Sequence, residues 1–220
     1  MLDQLIIGNK ASLDDFDASL AARKFNPPKK KSIKESVPYS NVTYDFSDIN
    51  GEVYWEERPL ECVFEITAPT PEDLEQKKTA FFNWVMNVTD ENIIDTYNPD
   101  YHYKGTFSDI TVEDDESIEK TTITVVFSAY PYKIANLPTV YKLTVEGEIT
   151  KNIINASSHR ITPTIITDTT VVIKLDDVSY SMSAGEFTDS KLMFKQGVNT
   201  LTIESETECN LTVKFFEEVF

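Results

Sequence analysis

The sequence has two histidines, His102 and His159, the side chains whose ordinary titration lies nearest neutral pH. Either could serve as a general base, but only beside a nucleophile and a third group that orients the ring. No G-x-S-x-G elbow, H-E-x-x-H pair or phosphate-cradling glycine loop accompanies them. His102 lies in "YNPDYHYKG", read as an aromatic-rich turn between strands, and His159 in "SSHRIT", read as a loop. The acid run "VEDDESIE" (112–119) offers oxygen ligands for calcium but lacks the glycine that bends an EF-hand loop, so a solvated hairpin loop is the better assignment. Asp176-Asp177 reads as a turn, and no pair of carboxylates stands out as a glycosidase pair. Cys62 and Cys209 lie far apart in strand-like runs without metal-ligand spacing, as buried small hydrophobes do. These residues point to no catalytic site, no metal and no cofactor.

The elements that would position any site are mostly strands. One helix is clear. In "TPEDLEQKKTAFFNWVMNV", Thr70 stands at the N-cap, Pro71 at the first helical position and Asp73 where a capping-box acid sits. Leu74, Phe81, Val85 and Val88 recur at helical spacing, and Ala80, Phe82, Trp84 and Met86 widen the stripe. Period-two alternation marks strands at 121–130, 142–149, 171–175, 200–205 and 210–216. The fold expected is mainly β with one helix: an α+β N-terminal domain, then an all-β antiparallel sandwich. Two prolines in "AYPYKIANLPT" place the boundary near residue 135, giving domains at 1–135 and 136–220.

The chain has 220 residues and a formal charge of −17, which argues against binding nucleic acid or an anionic membrane surface. No apolar run reaches the ~18 residues of a membrane helix. The N-terminus "MLDQLIIGNK" lacks the basic start of a signal peptide, so synthesis in the cytoplasm is expected and the sequons at Asn41, Asn87, Asn155 and Asn210 read as chance. Against this acidity, residues 24–41 concentrate Lys24, Lys29, Lys30, Lys31 and Lys34, and Pro27-Pro28 keeps the backbone extended. That is the composition of an arm whose partner is another chain. A solvated loop or lysine-guarded edge strand fits the same residues.

The stretch "YDFSDINGEVYWEERPLECVFEI" (44–66) is unusually aromatic and contains the turn signal Asn50-Gly51, so it reads as an aromatic strand pair. It also belongs to an ordered series: "LDQLIIGNKASLDDF", "NPPKKK", "VPYSNVTYDFSDINGEVYWEERPLECVFEI", "DLEQKKTAFFNWVM" and "TITVVFSAYPYKI". In order and spacing this series closely resembles the distal tail protein (Dit) family of long-tailed phages and prophages. "RITPTIIT" and "LMFKQGVNTLTIES" resemble, less tightly, pieces of the family's C-terminal sandwich.

The resemblance implies a non-enzymatic structural hub of a phage tail tip or baseplate, made in the host cytoplasm and carried in the virion for host attachment. Its N-terminal domains would form a homohexameric ring, pairing as two stacked rings in isolation. One face would meet the tail tube protein, and the other a tail-associated lysin or tail-fibre hub. The C-terminal domain would be a galectin-like or carbohydrate-module-like sandwich bearing a receptor-binding protein. DNA would only pass through, and no membrane would be involved. Lys29, Lys30, Lys31, Tyr44, Phe46, Tyr54, Trp55 and Arg58 are then the interface candidates, since aromatics and arginine are enriched at interface cores. The alternative is a stand-alone carbohydrate-binding module. Tyr180 and Phe187 would be its platforms, unless they are sandwich core.

Overall fold

A computed structural model of the chain describes residues 3–36, 38–39, 41–47, 53–115, 120–176 and 178–220. The chain divides into two compact units, residues 1–133 with Phe220, and residues 134–219.

The first unit comprises β1 (Leu5–Ile7), β2 (Lys10–Ala11), α1 (Ser12–Phe16), β3 (Ser19–Phe25), β4 (Lys34–Ser36), β5 (Thr43–Asp45), β6 (Arg58–Thr67), α2 (Pro71–Val85), β7 (Glu91–Asp95), β8 (Tyr101–Asp115) and β9 (Lys120–Ala129). Its main sheet runs β2-β1-β7-β8-β9-β6-β3, with antiparallel neighbours. Alternation decides which face is buried. Leu60, Cys62, Phe64 and Ile66 of β6 point inward, and so do Ile123, Val125 and Phe127 of the paired β9. Helix α2 covers this face with Leu74, Phe81 and Val85. Phe64, Phe81 and Phe127 are fully buried, each stabilising the fold by roughly 1.5–3 kcal/mol. Thr70 caps α2 as expected. Its Oγ1 accepts from the Asp73 amide at 3.2 Å and donates to the Asp73 carboxylate at 2.8 Å.

The sheet rolls until its last strand meets its first. The Leu20 amide of β3 donates to the carbonyl of Asp3, just before β1, at 3.3 Å. Arg23 of β3 reaches Asp3 and, at 3.2 Å, Asp95 at the end of β7. Strands at opposite ends of the sheet order therefore share a seam.

A short strand, β10 (Lys133–Ala135), spans the unit boundary. The second unit contains β11 (Thr139–Asn155), β12 (Thr164–Thr167), β13 (Val171–Leu175), β14 (Val178–Met182), β15 (Gly185–Thr188), β16 (Gly197–Phe215) and β17 (Glu218–Val219). β11 and β16 pair along their whole length, except where residue 146 faces residues 206–208. At this break Gly147 has φ 72°, a conformation that side chains with a Cβ resist. The first half of β16 pairs with β13 and the second half with β12. Both halves feed one core that includes Ile173, Leu201 and Ile203 from one leaf and Ile165, Leu211 and Val213 from the other. The result is an antiparallel sandwich whose leaves share two strands.

Several sequence expectations are corrected. Residues 200–205 and 210–216 are not separate strands, and the strand expected at 142–149 runs from 139 to 155. His102 lies in β8 rather than in a turn, because the turn is made earlier by Tyr97–Asp100. Glu113, Asp114 and Asp115 also lie on β8, while 116–119 fall outside the described residues. Asp114 is useful there: it holds Lys78 of α2 at 2.9 Å. Lys78 thus takes a buried place on the helix, whereas Ala80 and Met86 are exposed. The Asn50-Gly51 signal lies outside the described residues. β5, which precedes it, pairs with β4, so the aromatic pair is not built from 44–66 alone.

Candidate functional site

The basic and aromatic segments flagged in the sequence form one antiparallel ribbon. Lys34, Glu35 and Ser36 of β4 pair with Asp45, Tyr44 and Thr43 of β5. Further along, the Lys31 amide donates to the Tyr54 carbonyl at 2.8 Å and the Glu56 amide to the Lys29 carbonyl at 2.9 Å. Lys30 bridges to Trp55. The lysine segment is therefore paired through its backbone within its own chain, with the lysine side chains exposed. Ser47 shapes the ribbon, with its hydroxyl accepting from the Ile33 amide at 2.9 Å and its amide donating to Asp45 at 2.9 Å. The Ser47 side chain and amide, with Lys34 and Lys30 nearby, hold the Asp45 carboxyl below the usual carboxylate range.

This ribbon displays apolar side chains to solvent. Ile33, Val42, Tyr44, Phe46, Val53 and Tyr54 are all exposed, Tyr44 by 54 %. Tyr44 stacks on Phe46 with ring centroids 6.2 Å apart. Lys29, Lys30 and Lys31 are exposed beside them. These side chains give the ribbon an unusually apolar exposed surface. Two of the eight interface candidates are placed differently. Trp55 is half-buried and meets Phe220 edge-on at 4.9 Å. Arg58 is only 4 % exposed.

Arg58 is an interior strut. Its guanidinium donates to the carbonyls of Phe25 at 2.9 Å and Pro131 at 3.4 Å, and lies 5.3 Å from the ring centre of Tyr103. Burial lowers its pKa, against the effect of Tyr103. Its Nε has no hydrogen-bond partner among the described residues.

A cleft that the sequence reading missed opens at the seam of the rolled sheet. About 200 Å³ in volume, it is lined by Arg23, Phe25, Asp95, Tyr97, Tyr101 and Tyr103, with Asn98 beside them. Burial pushes the Asp95 carboxyl up, while the Tyr97 amide and Arg23 pull it down. Burial also raises the Tyr103 phenol, which therefore stays protonated at neutral pH. One signal was available. In "YNPDYHY", Tyr101 and Tyr103 are two apart and must share a face once the segment is a strand.

In the second unit, Tyr180 gives its hydroxyl to the Lys191 carbonyl at 2.7 Å, and its ring packs on the core. Phe187 is half-buried against the same core. His159 pairs with Glu218 at 2.7 Å. Asp176 sits in a left-handed turn, φ 51°, and pairs with Lys195 at 2.6 Å; Asp177 lies outside the described residues. Cys62 and Cys209 are buried free thiols, and burial drives Cys62 far above the range of a reactive thiol.

No family model and no curated protein matches the chain. Its fold does match a solved structure: that of the SPP1 Dit protein (gp 19.1), described as a paradigm of the hub adsorption apparatus in phages that infect Gram-positive hosts. The two agree over 100 % of each chain with a TM-score of 0.73 at 14 % sequence identity. Two phage p2 baseplate structures in the activated conformation, one with strontium and one with calcium, align less closely. Their TM-scores are 0.42 and 0.39, with 7 % and 11 % identity; coverage is 98 % of both chains for the first, and 97 % of this chain and 98 % of the other for the second. Similarity at that level carries no argument. The fold of this chain is similar to that of the SPP1 Dit protein over its whole length.

Proposed function

We propose that this protein is a structural hub at the tip of a phage or prophage tail and not an enzyme. Six copies form a ring through the first unit, between the tail tube and the tail-associated lysin or fibre hub. The second unit faces outward and carries a receptor-binding partner. The observation that supports this reading most is the fold likeness to SPP1 Dit, which spans both units. The exposed apolar ribbon with its lysines adds to it, because a ring subunit needs surface that only a neighbour covers. The strongly negative charge suits a channel through which DNA must slide without sticking.

Native mass spectrometry of the purified chain tests the proposal. The subunit mass is 25.0 kDa, and the ring requires a six-fold multiple or its doublet. Antibody labelling of assembled tails should decorate the distal tip. A protein that stays monomeric at every concentration and is absent from tails overturns the reading.

A further inference from the structure

We propose that the seam cleft of the first unit is a binding site for one neutral sugar ring. Tyr97 presents its ring to solvent, being 77 % exposed, yet it is not loose. The Arg23 guanidinium lies 5.0 Å from its ring centre, and Arg23 is itself held by Asp3 and Asp95. The Tyr97 amide donates to Asp95 at 3.0 Å, and the Asn98 amide donates to the Asp95 carbonyl at 2.9 Å. The ring is thus a braced platform on a fixed turn, which binds at small cost in lost side-chain freedom.

The polar groups around the platform are the second observation. Among the described residues, no hydrogen bond engages the hydroxyl of Tyr97, Tyr101 or Tyr103, or the side-chain amide of Asn98. Polar groups with no protein partner, gathered around one concavity, are what a ligand's polar atoms replace water on. Arg23 and Lys133, the latter 5.2 Å from the ring centre of Tyr101, offset Asp3 and Asp95, so the cleft does not call for a charged ligand. A cation lies over one face of each of Tyr97, Tyr101 and Tyr103, and the cleft offers the opposite aromatic surface for C–H groups, plus hydroxyls and an amide that both donate and accept. A pyranose presents both kinds of surface. The cleft volume, about 200 Å³, lies below the ~300–1,000 Å³ of sites for drug-sized ligands and suits one ring rather than an oligomer.

The test is saturation-transfer NMR on the full chain with glucose, galactose, mannose and N-acetylglucosamine at tens of millimolar, and glycerol as an acyclic control. At least one hexose, and not glycerol, should receive transfer. Tyr97→Ala should weaken that hexose about tenfold, the size of one lost stacking contact. Tyr101→Phe, which removes only a hydroxyl, should weaken it measurably with unchanged near-ultraviolet circular dichroism. Tyr180→Phe, in the other unit, should leave it unaltered. Absence of transfer from every hexose overturns the proposal, as does transfer that survives both cleft variants. A Tyr97→Ala protein that binds sugar normally but assembles differently also overturns it, and makes the cleft a contact between copies.

Discussion

Arg58 reaches across the interior of the first unit to Tyr103, its guanidinium 5.3 Å from the ring centre, while its Nη2 donates to Phe25 at 2.9 Å. This one side chain ties β6 to the end of β3 and to the wall of the seam cleft. Arg58→Ala leaves two buried carbonyls short of a donor and opens a cavity; the expected loss is about 2–4 kcal/mol. Arg58→Met fills the space and removes a buried charge, and should cost clearly less. Urea denaturation of the two variants gives the comparison. Equal losses would show that the arginine acts through its charge and hydrogen bonds and not through its volume.

Acid should weaken the first unit through Asp114. The neighbouring Thr121 side chain and the Lys78 ammonium, which donates to its carboxylate at 2.9 Å, lower its pKa below the ordinary 3.8. A carboxyl depressed in the folded state stabilises the fold above its unfolded value, and that contribution disappears as pH falls through the folded value. Unfolding free energy should therefore decline below about pH 4. Asp114→Asn should be less stable at pH 7 and show a shallower acid decline. Identical pH slopes in the two proteins would remove Asp114 as a source.

Gly147 has φ 72° at the break between β11 and β16, with open space where a Cβ would lie. Gly147→Ala therefore meets no clash but carries the strain of a left-handed alanine, about 1 kcal/mol. Thermal unfolding should show the second unit destabilised by about that amount. A stabilised protein would mean the break tolerates another backbone conformation.

Replacing Lys29, Lys30 and Lys31 with glutamate should leave subunit unfolding within a few degrees, because all three side chains are exposed. If the proposed ring forms, the substitutions should lower its fraction, and so should high salt in the unaltered protein. Light scattering across a salt series reads both. A ring indifferent to charge reversal and to salt would leave the ribbon's apolar face as the only adhesive part.

What could be read in advance was local. The α2 cap needs only Thr70 and Asp73, three residues apart, and the inward face of β9 is fixed by simple alternation. β8 escaped notice because its outer half, 109–115, has only Ile110 and Val112 as apolar residues and little of it is buried. The continuity of β16 was hidden by Glu206-Thr207-Glu208, three exposed polar residues that imitate a loop but lie at the break in pairing. The lysine segment could not be seen as half of a ribbon, since its partners at 43–47 and 54–56 carry no signal of which strand they choose. The seam cleft was least accessible of all. Arg23 and Asp95 meet only because the sheet rolls, and neither residue's neighbours in sequence reveal that curvature.

β16 belongs to both leaves of the second sandwich, and this constrains its motions. Neither leaf can open and leave the other intact, because the strand that closes one is the strand that closes the other. Opening should thus be all-or-none in this unit, with amide hydrogens of Leu201–Glu204 and Leu211–Val213 exchanging at one common free energy. Its β11–β16 pairing must also enclose everything from Ala156 to Gln196 before the ribbon is complete. Loop closure over so long a stretch is slow, so the β11–β16 ribbon should become protected later than the short β13–β14 hairpin after dilution from denaturant.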